Sequence, residues 1–272
     1  MNSIKQIIKT IGSLRNMIAE MNEKDIEFKR ITKTASLLLL SGMSKNSIPP
    51  NIIRRCIEEQ NDEDGGWVSI VDTMWNIFFL KLIDQKQYKS NIEKGLKFLN
   101  TQKNKNGLWG RAKRDISRIP VTGIMFYLLP EICYESDCYL LERLWISEKN
   151  SLTYKAAYIL MAFKRNEYSP VNKHLIEETV NWIVNNQKVD GGFSPWKEHP
   201  IDSDVFCTSI ATLGLLQYKE MVSGRVFYQA FEWLSSNQLA NGIWKYHEIE
   251  DGASWGLYAM VELLKNEVIQ DG

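Results

Sequence analysis

The stretch IDSDVFCTS, residues 201–209, places two carboxylates, a thiol and a threonine hydroxyl close together at the head of an apolar run. Asp202 and Asp204 are candidate acids. Proton donation would be their chemistry, with close carboxylates and hydrogen bonds deciding which group holds the proton. The same Asp204 also suits a helix start, where a carboxylate accepts the free backbone N–H groups of the first turn. Cys207 is a candidate metal ligand, but a catalytic zinc wants three protein ligands and an open position. The chain has three histidines, His174, His199 and His247. Its four cysteines, Cys56, Cys133, Cys138 and Cys207, contain no C-x-x-C pair. No ligand set assembles, so neither a metal nor a cofactor is expected.

The elements that must position these residues repeat along the chain. QNDEDGGW ends at Trp67, QKNKNGLW at Trp109, QKVDGGF at Phe193 and QLANGIW at Trp244. Each begins with a Gln (Gln60, Gln102, Gln187, Gln238) and reaches its aromatic residue six or seven places on. Before each lies an amphipathic helical pattern, with apolar residues at three- and four-residue steps. Asn or Asp followed by Gly stops it, since glycine takes the left-handed conformation without steric cost. After each comes a helix apolar on most faces, the mark of burial on both sides.

These second helices start near Thr73, Thr122, Thr208 and Ser254, with two more near Thr34 and Thr153. The first outer helix is expected over SIKQIIKTIGSLRNMIAEM, with Ile4, Ile7, Ile8, Ile11 and Leu14 on one side. Six amphipathic and six buried helices close most economically as two concentric rings. The expected fold is therefore all-α, a single (α/α)6 barrel over residues 1–272. A linear solenoid follows the same local rules, but these starts are unevenly spaced, 31 to 55 residues apart.

The Gln-x-x-x-(Asp/Asn)-Gly-x-Trp stretches resemble the QW repeats of squalene–hopene and oxidosqualene cyclases, and the related repeats of protein prenyltransferase β subunits. The likeness runs from about Thr34 to Leu264. It implies that the Gln and Trp residues tie an outer helix end to the next inner helix. In such a ring the inner-helix N-termini would gather at one mouth. Class II terpenoid cyclases protonate an alkene or epoxide there, through the middle Asp of an Asp-x-Asp-Asp-Thr stretch. Matching Thr208 to that Thr lays Asp204 on the first Asp, Phe206 on the donor and Cys207 on the third Asp. A slide of two residues puts Asp202 first and Asp204 on the donor, but breaks the helix register. Asp72, in SIVDT, takes the third-Asp place of its own repeat. No window carries the whole motif. The catalytic candidates are Asp204, Asp202 and Asp72, and Glu250 and Asp251 also stand near an inner-helix start.

Trp75, Phe126, Tyr127, Tyr154, Tyr158, Phe206, Trp255 and Tyr258 fall on inner helices or their starts. As core they fill the barrel; as a cavity lining they would stabilise a carbocation through their ring faces. Seven of them, Tyr154 apart, are the candidate substrate-binding set. Against the prenyltransferases, DVFCT carries Cys207 where their ligand His stands, and Asp251-Gly252-Ala253 carries Ala at their thiolate place.

The 33 basic and 33 acidic residues cancel without a block of either sign, which disfavours nucleic-acid binding. The Arg111, Lys113, Arg114 and Arg118 group suits a phosphate or a solvated loop. Scattered cysteines without a secretory-type start read as reduced thiols of a cytoplasmic protein. The first helix, with Lys5, Lys9 and Arg15, suits a peripheral membrane contact or the covering of an inner helix. Three functions follow. One is a terpenoid cyclase-like enzyme acting on an isoprenoid by acid-initiated carbocation cyclisation. The second is a non-catalytic barrel holding a lipid or a protein partner, and the third a prenyltransferase β-like subunit. Two-domain cyclases pair their barrels, so a partner barrel or a homo-oligomer is a natural complement to this chain.

Overall fold

The structure, a computed structural model, describes residues 2–24, 26–148 and 151–268. Among these residues there are twelve α-helices, three short 3-10 turns and no strand. The outer helices are α1 (Asn2–Glu23), α3 (Pro50–Glu58), α5 (Lys89–Thr101), α7 (Glu135–Glu148), α9 (Leu175–Asn185) and α11 (Gly224–Ser236). The inner helices are α2 (Phe28–Leu40), α4 (Ile70–Asp84), α6 (Ile119–Leu128), α8 (Thr153–Arg165), α10 (Val205–Leu216) and α12 (Ile249–Lys265). Each inner helix packs on the next, and α12 packs back on α2, so the ring closes. The alternation follows the sequence pattern: α10 and α12 are buried almost end to end, whereas α5 and α9 bury one stripe.

The repeats act as hydrogen-bonded corners between the rings. The indole N–H groups of Trp67, Trp109 and Trp244 donate to the carbonyls of Cys56, Leu99 and Leu234, at the ends of the preceding outer helices, at 2.7–2.8 Å. The backbone N–H groups of Trp67, Trp109 and Phe193 donate to the hydroxyls of Thr73, Thr122 and Thr208 on the following inner helices, at 2.9, 3.2 and 2.9 Å. The Gln side chains make a third tie, to the next outer helix. Gln60 Nε2 donates to the Gly65 and Asn91 carbonyls, Gln187 Nε2 to those of Gly191 and Val226. Gln238 Nε2 donates to the Gly242 carbonyl and, at 2.7 Å, to the Thr10 hydroxyl of α1, joining the last outer helix to the first. The turn glycines Gly65, Gly191 and Gly242 have positive φ (78°, 87° and 86°). At Gly191 a Cβ would also stand 2.6 Å from the Gln229 carbonyl oxygen, so any side chain there is excluded twice over.

Two local expectations differ in detail. Gln102 reaches only the adjacent Thr101 hydroxyl. Its neighbours hold that corner instead: Asn104 Nδ2 donates to Asp115 O and Ser117 Oγ, and Lys103 Nζ sits 2.8 Å from both Asp137 oxygens of α7. On α1 the buried stripe is Leu14 and Ile18, with Ile7 and Ile11 packed beside it. Ile4 and Ile8 are exposed.

Inner helices approach closely through small residues. A Cβ on Gly123 would meet Tyr158 of α8 at 2.9 Å, and one on Gly214 would meet Ala157 at 2.7 Å. A Cβ on Gly256 would meet Val205 of α10 at 2.9 Å. Such close approach draws the ring tight around its axis.

If Gln187 links three segments, Gln187→Ala strands two partly buried carbonyls and should cost about 1–3 kcal/mol of stability in urea denaturation. Gln102→Ala should cost no more than about 0.5 kcal/mol. Equal losses at the two sites would refute the corner assignment.

Candidate active site

The N-termini of the inner helices gather at one end of the barrel. Asp204 is the N-cap of α10: its Oδ1 accepts the Cys207 N–H at 2.8 Å, while its own N–H donates to Phe193 O at 3.0 Å. The carboxylate is half-buried. One turn on, Thr208 is bound to the Phe193 corner, so the repeat itself fixes where Asp204 stands.

Two phenols meet Phe206 in the first turn of this helix, and a third, Tyr158, is buried on α8 nearby. Phe206 stacks on Tyr246 (centroids 5.9 Å, 17° between planes) and meets Tyr154 edge-on at 5.9 Å. Burial pushes the Tyr246 hydroxyl well up, and the charges of Asp204 and then Asp251 push it further. Burial likewise raises Tyr158, with Asp251 the next cause. Tyr154 is raised by burial and eased back by Arg111. These phenols therefore stay protonated and stand among the carboxylates as neutral O–H groups. Burial, followed by the charge of Asp204, also raises the Cys207 thiol, which remains a thiol.

Across the mouth, α2 and α12 are joined by two ion pairs. Arg30 pairs with the buried Glu250, whose hydrogen bond raises the guanidinium. Lys33 Nζ lies 2.6 Å from Asp251 Oδ1. The Lys33 ammonium also stands 5.6 Å from the Trp75 ring centroid and 5.9 Å from that of Trp255. A cavity of about 50 Å³ opens here between α2, α4 and α12. Beside it, between the starts of α6 and α8, a groove of about 330 Å³ is lined by Arg111, Arg118, Tyr154 and Lys155. Arg118 is paired with Asp115 and Lys155 with Glu148.

From the mouth a file of rings runs down the barrel. Trp75 meets Trp255 at 6.1 Å and Trp255 meets Tyr258 at 6.4 Å. The Tyr258 and Tyr127 hydroxyls share a hydrogen bond of 3.1 Å. Trp255 Nε1 is buried and has no hydrogen-bond partner among the described residues. Phe126 turns outward and packs edge-on against Trp109 at 5.8 Å. The file is closely packed. Trp255 is 1% exposed, Trp75 3%, Tyr158 5% and Tyr258 6%. Rings so shielded face no open chamber of the 300–1,000 Å³ or so that ligand pockets occupy.

Of the acids singled out from sequence, Asp204 stands at this mouth beside Tyr246. Asp202 is exposed on the loop before it. Asp72 is buried in the first turn of α4, where its carboxylate is bonded to Ser69 Oγ. Lys33 and Tyr246 carry no local signal. Lys33 matters through a partner on the last helix, and Tyr246 lies on the loop after the fourth repeat. Among the described residues no group of three or more His, Cys, Asp or Glu side chains is placed to hold a metal ion. None of the described helices is long and apolar enough to cross a membrane.

Solved structures share this architecture over almost the whole chain. The type II terpene cyclase MstE from Scytonema, as a variant in complex with geranylgeranyl dihydroxybenzoate (its substrate), superposes with a TM-score of 0.74 at 13% identity. The match covers 97% of this chain and 99% of that one. Another MstE variant, in complex with the product merosterolic acid A, gives 0.70 at 13% identity and 98% of each chain. The ent-copalyl diphosphate synthase from Streptomyces platensis gives 0.61 at 12% identity over 88% of this chain and 50% of that one. No protein-family model and no curated protein matches the sequence. The fold is thus the α/α barrel of the terpenoid cyclases.

The cap assignment is testable. Asp204→Asn should lower stability by no more than a few tenths of a kcal/mol, since Asn caps about as well as Asp, and Asp204→Ala by about 1 kcal/mol. Equal losses in thermal or urea unfolding would show that charge, rather than the Cys207 N–H, explains its place.

Proposed function

We propose that this chain is a terpenoid cyclase-like enzyme that starts carbocation cyclisation of a linear isoprenoid by protonating it at the barrel mouth. The observation that carries this reading is the place of Asp204 at the α10 start, where Phe206 stacks on Tyr246 and meets Tyr154, above the aromatic file. An alkene is a very weak base, so its donor must be a carboxylic acid that loses little to solvent. Asp204 is half-buried, and among the described residues no cation stands within ion-pair distance of it. Asp251, by contrast, is paired with Lys33. Asp204 is therefore the leading donor, with Asp202 and Asp72 behind it.

In the proposed step the Asp204 carboxyl proton goes to one carbon of an alkene, and its O–H electrons stay on the carboxylate. The cation formed on the neighbouring carbon is attacked by the next double bond, closing a ring. A final proton loss leaves an isomer of the substrate. Trp75, Trp255, Tyr158, Phe206, Tyr258 and Tyr127 offer ring faces to the migrating charge. Phe126, set against Trp109, shapes that wall from behind. The unpaired Trp255 N–H is a donor that a bound ligand would satisfy. The groove at Arg111 is the proposed approach for a polar head. Since the interior is closed, a substrate must part the inner helices to enter.

That closure also favours a second reading, a packed barrel without catalysis that offers its outer surface to a lipid or a protein partner. A prenyltransferase β-like role, a partner barrel and a peripheral membrane contact remain further proposals for this chain.

The test is incubation of the purified protein with farnesyl and geranylgeranyl alcohols and diphosphates, followed by mass spectrometry. A cyclic isomer should form. Asp204→Asn should cut its rate at least ~100-fold, because general-acid catalysis is worth about 10²–10⁴, while Asp202→Asn should leave it within about twofold. An Asp204→Asn enzyme of full activity would end the assignment. Absence of both product and thermal shift with every isoprenoid would favour the packed barrel.

A further inference from the structure

Away from the mouth, two thiols stand almost in bonding position. Cys133 follows the 3-10 turn Pro130–Ile132, Cys138 lies in the first turns of α7, and their sulfurs are 3.2 Å apart. Both line an open recess of about 450 Å³ with Tyr134, Asn166 and Tyr168. Cys133 is half-buried and Cys138 buried. The other two cysteines, Cys56 on α3 and Cys207 on α10, are buried in separate parts of the barrel.

We propose that Cys133 and Cys138 form a redox-active dithiol that closes to an intramolecular disulfide when it meets a small-molecule disulfide. A disulfide bond is about 2.05 Å long, so the sulfurs need approach by only roughly 1.1 Å. Cys133 lies outside a helix, in extended backbone, so its side of the pair can adjust while α7 stays fixed. Access orders the steps. The Cys133 thiolate attacks one sulfur of oxidised glutathione from the recess and expels one glutathione thiolate. The Cys138 thiolate then attacks the Cys133 sulfur of the mixed disulfide and expels the second. The protein loses two protons and two electrons, and one glutathione disulfide becomes two thiols.

The surroundings set the pace. The hydrogen bond to Cys138 and then burial push the Cys133 thiol above its usual range, while nearby Lys103 pulls the other way. Lys103 is held there by both oxygens of Asp137. Since the thiolate is the attacking form, closure is slow at neutral pH and quickens as pH rises. The loop closed is short, so the entropic gain is small and the bond stays readily reducible.

The experiment uses the full chain, equilibrated with mixtures of oxidised and reduced glutathione, then unfolded and alkylated. Wild type should take up two alkyl groups instead of four, the peptide holding 133–138 should be two hydrogens lighter, and dithiothreitol should reverse both changes. Cys138→Ser should trap glutathione on Cys133. Cys133→Ser, at the more exposed position, should leave all three remaining thiols open to alkylation. Four alkylated cysteines in oxidised wild type, or a glutathione adduct that persists on wild-type Cys133, would overturn the proposal.

Discussion

The hydrogen-bonded corner between an outer helix and the next inner helix is what the rest of the barrel depends on. At each corner a Gly turns the chain, and at the first three an aromatic residue is held by a Thr hydroxyl on the inner helix. Where a Trp is present, its indole also returns to the outer helix. These bonds satisfy backbone groups that would otherwise be buried unpaired, a cost of about 1–3 kcal/mol each. Because the Gln60, Gln187 and Gln238 side chains also reach the next outer helix, one corner sets the position of its neighbour. The last corner reaches Thr10 of α1, and Arg30–Glu250 and Lys33–Asp251 join α2 to α12. The two ends of the chain thus close both rings.

The site is a by-product of that scaffold. The tie from Phe193 to Thr208 places the first turn of α10, and the first turn places Asp204. Tyr246 comes to it from the loop between α11 and α12, and Gly252 lets that ring and Val205 crowd against α12, where a Cβ would meet each at 2.7 Å. The same small residues that let inner helices touch also close the interior around Trp75, Trp255 and Tyr258. The mouth is therefore prearranged in its polar groups and shut in its apolar ones. Under the proposed function, an isoprenoid would supply apolar surface to replace the ring–ring contacts it displaces.

Much of the fold was legible because its signals are local. The Asn/Asp-Gly stops, the switch from one-sided to all-round apolar helices, and the Thr residues near Ile70, Ile119 and Val205 all lie within a few residues of the features they specify. Thr34 and Ser254 sit six and five residues inside their helices, since nothing local marks the starts of α2 and α12. Gln102 carries the repeat's pattern without its bonds, for Lys103 and Asn104 take over. The mouth was legible only in part. Asp204 could be read as a helix-start acid, but its phenol neighbours come from α8 and from the loop before α12. Arg30 and Glu250 are 220 positions apart in sequence, and no spacing rule joins such pairs. Phe206 and Phe126 show the limit from the other side: both are inner-helix aromatics, yet one faces the mouth and the other faces Trp109.

The source of the initiating proton is the most direct measure of what this barrel does. If the proposed acid initiation operates, turnover of geranylgeranyl and farnesyl substrates in deuterium oxide would place one carbon-bound deuterium in each cyclic product, at the carbon protonated first, because a donor carboxyl would exchange with solvent before donating. A cyclic product free of deuterium, or one that has lost the diphosphate without gaining a solvent proton, would contradict acid initiation at the mouth.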